Sequence, residues 1–342
     1  MENIPANPLP TLIWVAREKL PPLAWVKSAL SQVQLVVVLD GISPEVSAYE
    51  ALGVRFLRHP VALGLGRSIK TALNDELLRH PAGVGVLVCG SESAPPLPWL
   101  GLMADALSEH PLSLSLGFSP PGRLRGRAWW DRRFAPRIFS LVNGNSVKDV
   151  CPPLEAIPAS LCAHFAVAPG EDDTYPLKAL LSTKSLGIPL QNIALPPLPY
   201  EHGSMNARQW LSMARQLLGF VGASLFSALV DYSVFTLLWV FVSRVVTVCT
   251  VGARVCSSVI NYLVNKELVF KDQKPGRKSF VRYYILVILL LLLNILAIKL
   301  FQQVLHAPVL VSKLLADVSI YCISYVVQRD VVFKPRSGKA QK

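Results

Sequence analysis

The chain has 342 residues, 52 % of them hydrophobic, with six cysteines and a formal net charge of +12. That length allows two domains, and composition splits accordingly: residues 1–205 mix apolar runs with proline, glycine and charge, whereas residues 217–328 are dominated by leucine, valine and isoleucine. Much of the C-terminal basic charge flanks apolar segments, which favours membrane orientation and contact with anionic lipid well above a nucleic-acid role, and the cysteines (89, 151, 162, 249, 256, 322) lack C-x-x-C or metal-ligand spacing, which points to reduced thiols.

The polar, proline-rich start after Met1 has no basic segment followed by an apolar core, so a cleaved signal peptide is not expected. Short apolar runs at 11–16, 35–40, 54–58 and 84–89 alternate with helix-length stretches. This is the βαβ pattern of a mostly parallel sheet. Val36-Val-Val-Leu-Asp-Gly41 ends its strand in an acidic turn at Asp40, and His59-Pro-Val-Ala-Leu-Gly-Leu-Gly-Arg-Ser-Ile-Lys70 enters a helix through Gly64 and Gly66. Glycines at a helix start suit either a phosphate or a tight turn. Further on, Arg123, Arg125, Arg127, Arg132, Arg133 and Arg137 surround Trp129 and Trp130, the composition of a helix lying in the headgroup layer with indoles at the boundary and guanidinium groups on phosphates. A solvated basic face is the alternative. Glu171, Asp172 and Asp173 form an acidic cluster that reads as a helix start, with Asp173 as a general base the other option.

Beyond a linker helix at 206–216, a bilayer core needs about 20 apolar helical residues, and segments 217–242, 245–264, 283–301 and 308–327 meet or approach that length. The loop after the second segment carries Lys266, Lys271, Lys274, Arg277, Lys278 and Arg282, and the tail at 336–342 follows Arg329 and Lys334. The opposite connections are poor in charge, so the N-terminal domain, the middle loop and the tail are expected on the cytoplasmic side.

Asn261-Tyr-Leu-Val-Asn-Lys-Glu-Leu-Val-Phe-Lys271 returns sixty-three positions later as Ser324-Tyr-Val-Val-Gln-Arg-Asp-Val-Val-Phe-Lys334. A repeat this regular predicts one two-span unit used twice within 217–335, its copies related by an axis along the membrane normal. The same offset aligns Asp231 with Asn294 and Arg254 with Asp317, each near the middle of its span. Ionisable groups there are costly enough to be functional candidates, although a buried pair that only fixes helix register is the competing reading. In the sharper version Arg254 meets a phosphate or a sugar hydroxyl part-way across the bilayer. Lys313 is placed to snorkel. Lys266 and Arg329, at cytoplasmic helix ends, are candidate lipid-phosphate contacts with headgroup anchoring as the alternative.

Gly219-Phe-Val-Gly222, the mid-span Asp231 and the repeated closing block resemble the GtrA family, with a doubled pair of spans each closing in N-x-x-x-N-[KR]-x-x-V-F or a variant; Ser324 and Gln328 depart from it. The resemblance implies a role in cell-surface polysaccharide synthesis, moving a polyprenyl-phosphate-linked sugar across the bacterial inner membrane. In the first 205 residues the 36–41 and 59–70 segments, then Arg137-Ile-Phe-Ser-Leu141 with Val147-Lys-Asp-Val-Cys151, and Pro199-Tyr-Glu-His-Gly-Ser204 before Trp210, are similar to family 2 glycosyltransferases, especially the polyprenyl- and dolichyl-phosphate sugar synthases. That likeness implies a GT-A-like, Rossmann-like cytoplasmic domain ahead of an all-α four-span bundle, and it places the segment around Arg133 and Arg137 near a lipid-phosphate acceptor.

The departures bear on activity. Such a transferase holds a divalent cation with a D-x-D after its fourth strand, but here Val88-Cys-Gly-Ser-Glu-Ser93 offers Glu92 alone. Leu39 and Ile42 thin the acidic turn, Pro153 stands where glycine is expected after Cys151, and the first strand runs into Arg17-Glu-Lys. These losses imply a retained fold and a lost reaction, with Asp40, Gly64, Gly66 and Glu92 as residual nucleotide or metal candidates. No cofactor is expected unless the domain is active, when Mg²⁺ or Mn²⁺ would be required. Expected partners are polyprenyl (undecaprenyl) phosphate or its sugar conjugate, anionic lipids and an active glycosyltransferase. The readings left open are a lipid-sugar translocator, a working transferase anchored by its spans, and a scaffold for another sugar-pathway enzyme.

Overall fold

A computed structural model of the chain describes residues 9–81, 83–90, 93–119, 127–197, 205–242, 246–269, 277–305 and 309–332. They fall into two compact units, Met1–Met213 and Ala214–Arg336.

The first unit is built on seven strands: β1 Thr11–Ala16, β2 Gln34–Asp40, β3 Arg55–His59, β4 Gly85–Cys89, β5 Leu114–Phe118, β6 Leu154–Pro158 and β7 Leu190–Ala194. They lie in the order β3-β2-β1-β4-β6-β5-β7. β1, β2, β3 and β4 run parallel, as do β5 and β7, while β6 is antiparallel to both β4 and β5. β6 alone is reversed, so the sheet is mixed but mostly parallel, as the alternation of strands and helices predicts. The four expected strands match to within a residue at either end; β5, β6 and β7 carry no comparable apolar run.

Helices cover both faces, which is why β1 is buried at every position. Successive side chains alternate between two cores. Ile13, Val15, Val36, Val38, Val86 and Val88 face α3 (Leu65–Arg79), α6 (Ala159–Ala166) and α7 (Tyr175–Leu186). Leu12, Trp14, Val37, Leu39 and Leu87 face α1 (Leu23–Ala29) and α4 (Leu97–Glu109). The short α2 (Ser47–Glu50) and the basic α5 (Arg127–Asn143) complete the unit's helices.

The remaining helices are α8 (Ala207–Phe241), α9 (Val246–Val264), α10 (Arg277–Leu305) and α11 (Val309–Val327), each overlapping one of the four long apolar segments. α8 is continuous through 206–216 and the first span, with no break at the expected linker. Among the described residues Leu217–Leu238 is long and apolar enough to cross a bilayer, and Val281–Leu290 is a shorter apolar stretch. Large side chains such as Leu225, Leu229, Ile288 and Leu296 are exposed, as lipid-facing residues are. Hydrogen bonds join the helices laterally: Asn261 Nδ2 donates to Tyr283 Oη at 2.8 Å, and Tyr321 Oη to the Leu217 carbonyl at 3.5 Å. α9 and α11 are 19 residues each, and each passes directly into a five-residue π-helical turn, Asn265–Val269 and Gln328–Val332.

Candidate functional site

Asp40, at the end of β2, is buried at 2 % exposure. Its Oδ1 accepts the Leu63 N–H at 2.7 Å and lies 3.2 Å from His59 Nδ1, and its Oδ2 accepts the Gly64 N–H at 3.0 Å. Burial pushes the carboxyl pKa up, but the Leu63 N–H, the His59 contact and the Gly64 N–H together hold it below the ordinary carboxylate value. Both oxygens are thus engaged in fixing the loop that enters α3.

Gly64 has φ +96° and Gly66 opens the helix. A Cβ at Gly64 would lie 2.9 Å from the Glu171 carbonyl oxygen, and one at Gly66 would lie 2.5 Å from Tyr175 Cβ and 2.8 Å from the Glu171 carbonyl carbon. The Arg67 N–H donates to the same Glu171 oxygen at 2.9 Å. The two glycines and the first turn of α3 therefore accommodate the 171–175 segment, where a Cβ would clash.

The acidic cluster has partners. Glu171 pairs with Arg67 at 2.9 Å and Asp173 with Arg17 at 2.7 Å. Asp172 Oδ1 accepts from the Thr174 N–H and Oγ1 just before α7, and the Thr174 side-chain hydrogen bond holds the Asp172 carboxyl below its usual value. This is the helix-start arrangement.

At the end of β4, a Cβ on Gly90 would lie 2.3 Å from the Pro152 carbonyl oxygen, and the Gly90 N–H donates to the Pro153 carbonyl at 3.0 Å. The Pro152-Pro153 segment packs on the strand end, and Cys89 Sγ turns to the Ser93 carbonyl at 3.7 Å. Glu92, the one carboxylate in this stretch, lies outside the described residues. A hard divalent ion takes oxygen ligands, and among the described residues of this stretch the thiol and the engaged backbone groups do not fit one.

Beneath this end of the sheet is a cavity of about 70 Å³, bordered by Val88, Cys89, Gly90, Cys151, Glu155 and Tyr175 among others. Ligand crevices of α/β sheets lie outside such strand ends. Burial raises the Glu155 carboxyl pKa to about 7 and the Cys151 thiol to about 12. Cys151 is therefore a neutral thiol. Glu155 was not among the sequence candidates; an acid interrupting the apolar run Leu154–Pro158 is the signal that marks it.

α5 sorts its charges by face. Arg133 and Arg137 are exposed, as are Trp129 (45 %) and Trp130 (57 %), and Trp130 stacks on Phe134 with ring centroids 4.7 Å apart. This face presents two indoles beside two guanidinium groups. Arg132 does not share it: its guanidinium donates to Asp149 at 2.9 Å and to the Ser119 carbonyl at 3.1 Å, a structural pairing that corrects its place in the expected headgroup face.

In the second unit, Asp231 on α8 accepts a hydrogen bond from Ser257 Oγ on α9 at 2.9 Å, and Ser227 Oγ donates to the Ser257 carbonyl at 2.9 Å. The mid-span acid thus meets a hydroxyl here. The side chains of Arg254, Asn294, Lys313 and Asp317 lie outside the described ones, so the expected constellation is placed only by its helices. Lys266 and Arg329 open the second position of the two π-turns; Lys266 lies 3.7 Å from Glu267, and Arg329 Nε donates to Asp330 Oδ1 at 2.8 Å. Both cations have an acidic neighbour and are mostly buried, with side chains 13 % and 7 % exposed.

Residues 219–333 match the family model described as GtrA/DPMS, transmembrane domain. No curated protein matches the chain. Among solved structures, the chain is similar to glucosyl-3-phosphoglycerate synthase from Mycobacterium tuberculosis in complex with Mn²⁺, uridine diphosphate and phosphoglyceric acid, at 17 % identity over 65 % of this chain and 78 % of that one, TM-score 0.45. It is also similar to a mycobacterial protein at 18 % identity over 65 % of this chain and 75 % of that one, TM-score 0.44.

Proposed function

We propose, from the match of residues 219–333 to a GtrA/DPMS transmembrane domain and the mixed α/β sheet that precedes it, that the chain is a glycosyltransferase-related membrane protein that binds and translocates a polyprenyl-phosphate-linked sugar for surface glycolipid or polysaccharide synthesis, its transferase-like domain being catalytically inert. In this reading it lies in a bacterial inner membrane with both termini cytoplasmic, as the basic loops favour. The observation that carries inertness is Asp40: both carboxylate oxygens are spent on Leu63, Gly64 and His59, so the acid of the nucleotide turn braces a loop. Lipid recognition rests on the exposed Trp129, Trp130, Arg133 and Arg137 face of α5, whose indoles suit the interface and whose guanidinium groups suit phosphate. Asp231, Arg254, Asn294 and Asp317 are the polar groups that a translocated headgroup would pass.

One observation favours a second reading, an active polyprenyl-phosphate glycosyltransferase held by its membrane helices: Glu155, with a pKa of about 7, borders a cavity at the end of β4, as a general base could. The deciding experiment supplies full-length protein with Mg²⁺ or Mn²⁺, undecaprenyl phosphate and labelled nucleotide sugars, with Glu92→Ala and Glu155→Gln as controls. No labelled glycolipid, with the lipid still bound, is expected. Product above both controls would overturn inertness, and an Arg254→Ala protein that still exports the sugar would overturn translocation.

A further inference from the structure

The two π-turns share a detail that the repeated sequence does not announce. Asn265, at 0 % exposure, donates from Nδ2 to Asn261 Oδ1 at 3.1 Å, and Gln328, at 3 % exposure, donates from Nε2 to Ser324 Oγ at 3.0 Å. In each case the amide uses its donor on the residue one turn back, and its oxygen is left over: among the described residues neither Asn265 Oδ1 nor Gln328 Oε1 has a hydrogen-bond partner. A buried acceptor without a donor costs about 1–3 kcal/mol. The same cost is carried twice, sixty-three residues apart, by two different amino acids and at the first residue of a π-helical turn in both cases.

The neighbours restrict what can supply the donor. Lys266 and Arg329 directly follow the two amides and are mostly buried, so a metal ion or an ammonium group would meet a like charge at either turn. Both cations already face an acid, Glu267 and Asp330. An anion does not satisfy an amide oxygen, which requires a donor. What remains is a neutral donor, and a hydroxyl is the neutral donor that a lipid-linked sugar carries in number.

We propose that Asn265 Oδ1 and Gln328 Oε1 are paired acceptor sites for sugar hydroxyls, so that the π-turns read the sugar of the lipid-linked substrate and not its phosphate. This rests on the lipid-sugar reading above and adds which part of the ligand the second unit recognises.

The test uses full-length protein in nanodiscs, with undecaprenyl phosphate and a panel of undecaprenyl-phosphate hexoses as probes. Wild-type protein is expected to bind at least one hexose lipid more tightly than the bare lipid phosphate. The double variant Asn265→Leu with Gln328→Met removes both oxygens at similar volume; it is expected to weaken hexose-lipid binding by about tenfold or more and to leave bare-lipid binding unchanged. Equal loss for both probes, or no loss for either, overturns the proposal and leaves lipid binding standing. Wild-type protein that binds neither probe overturns the lipid reading and the proposal together. Hydrogen exchange on unmutated protein gives a check that does not depend on the variants folding: hexose lipid should protect 265–269 and 328–332 more than bare lipid does, and equal protection overturns the assignment.

Discussion

Asp131 and Trp210, seventy-nine residues apart, are joined by a 2.8 Å hydrogen bond from the indole Nε1–H to Oδ1, while Oδ2 accepts the Met205 N–H at 2.9 Å. The carboxylate is 8 % exposed, and it ties the start of α8 to α5 within the first unit. Asp131→Ala would leave two donors without an acceptor, at about 1–3 kcal/mol each. Thermal unfolding should show a loss of about 2–4 kcal/mol, with Asp131→Asn, which keeps one acceptor, losing less.

Adjacent arginines on α5 should behave in opposite ways. Arg132→Ala breaks a largely buried pair and strands Asp149, for an expected cost of about 3–5 kcal/mol. The double change Arg133→Ala with Arg137→Ala removes exposed groups and should move stability by no more than about 0.5 kcal/mol, while weakening the binding of undecaprenyl phosphate. A destabilised double variant with unchanged lipid binding would show that these arginines serve the fold.

Glu155 sets a pH dependence. Its carboxyl pKa rises from 4.5 to about 7 on burial, so the folded protein holds a proton that the unfolded chain releases. The penalty is absent below about pH 4.5, grows from there to about pH 7 and is full above it; stability therefore falls as pH rises through that window. At 1.36 kcal/mol per pKa unit the full effect is about 3 kcal/mol. Glu155→Gln should remove this dependence and be the more stable protein at pH 8, which denaturant titrations at pH 5 and pH 8 would reveal.

Gly66→Ala places a Cβ 2.5 Å from Tyr175 Cβ and 2.8 Å from backbone at Glu171. Because the backbone cannot yield as a flexible side chain does, the expected cost is about 1–3 kcal/mol. An unchanged Tm would mean that α3 and the 171–175 segment separate readily, which would reopen the first turn of α3 as an anion site.

Much of the fold was legible because its constraints are local. Thr11-Leu-Ile-Trp-Val-Ala reads as a strand buried on both faces, and the apolar run that begins at Leu217 reads as a span because bilayer thickness sets how much apolar helix is needed. β6 was not legible: Glu155 interrupts its apolar pattern, and its antiparallel pairing with β4 joins Gly85 to Pro158, a register that no nearby residue encodes. The same limit applies to the site. Asp40 reads as an acidic turn until Leu63 and Gly64 are seen to donate to it, and Gly64 and Gly66 suit either a phosphate or a tight turn until Glu171 and Tyr175 are found against them.

By itself the sequence determined the split into a sheet-bearing part and an apolar helical part, and the sixty-three-residue offset that aligns Asn265 with Gln328, since hydrophobic periodicity and repetition are properties of neighbouring residues. Only the tertiary structure decided which groups are spent. Arg132 and Arg133 differ by one position, and a turn of about 100° per residue puts one guanidinium on Asp149 and the other in solvent. Hydrogen bonds between residues distant in sequence choose the partner of each polar atom, and so decide which oxygens are left for a ligand.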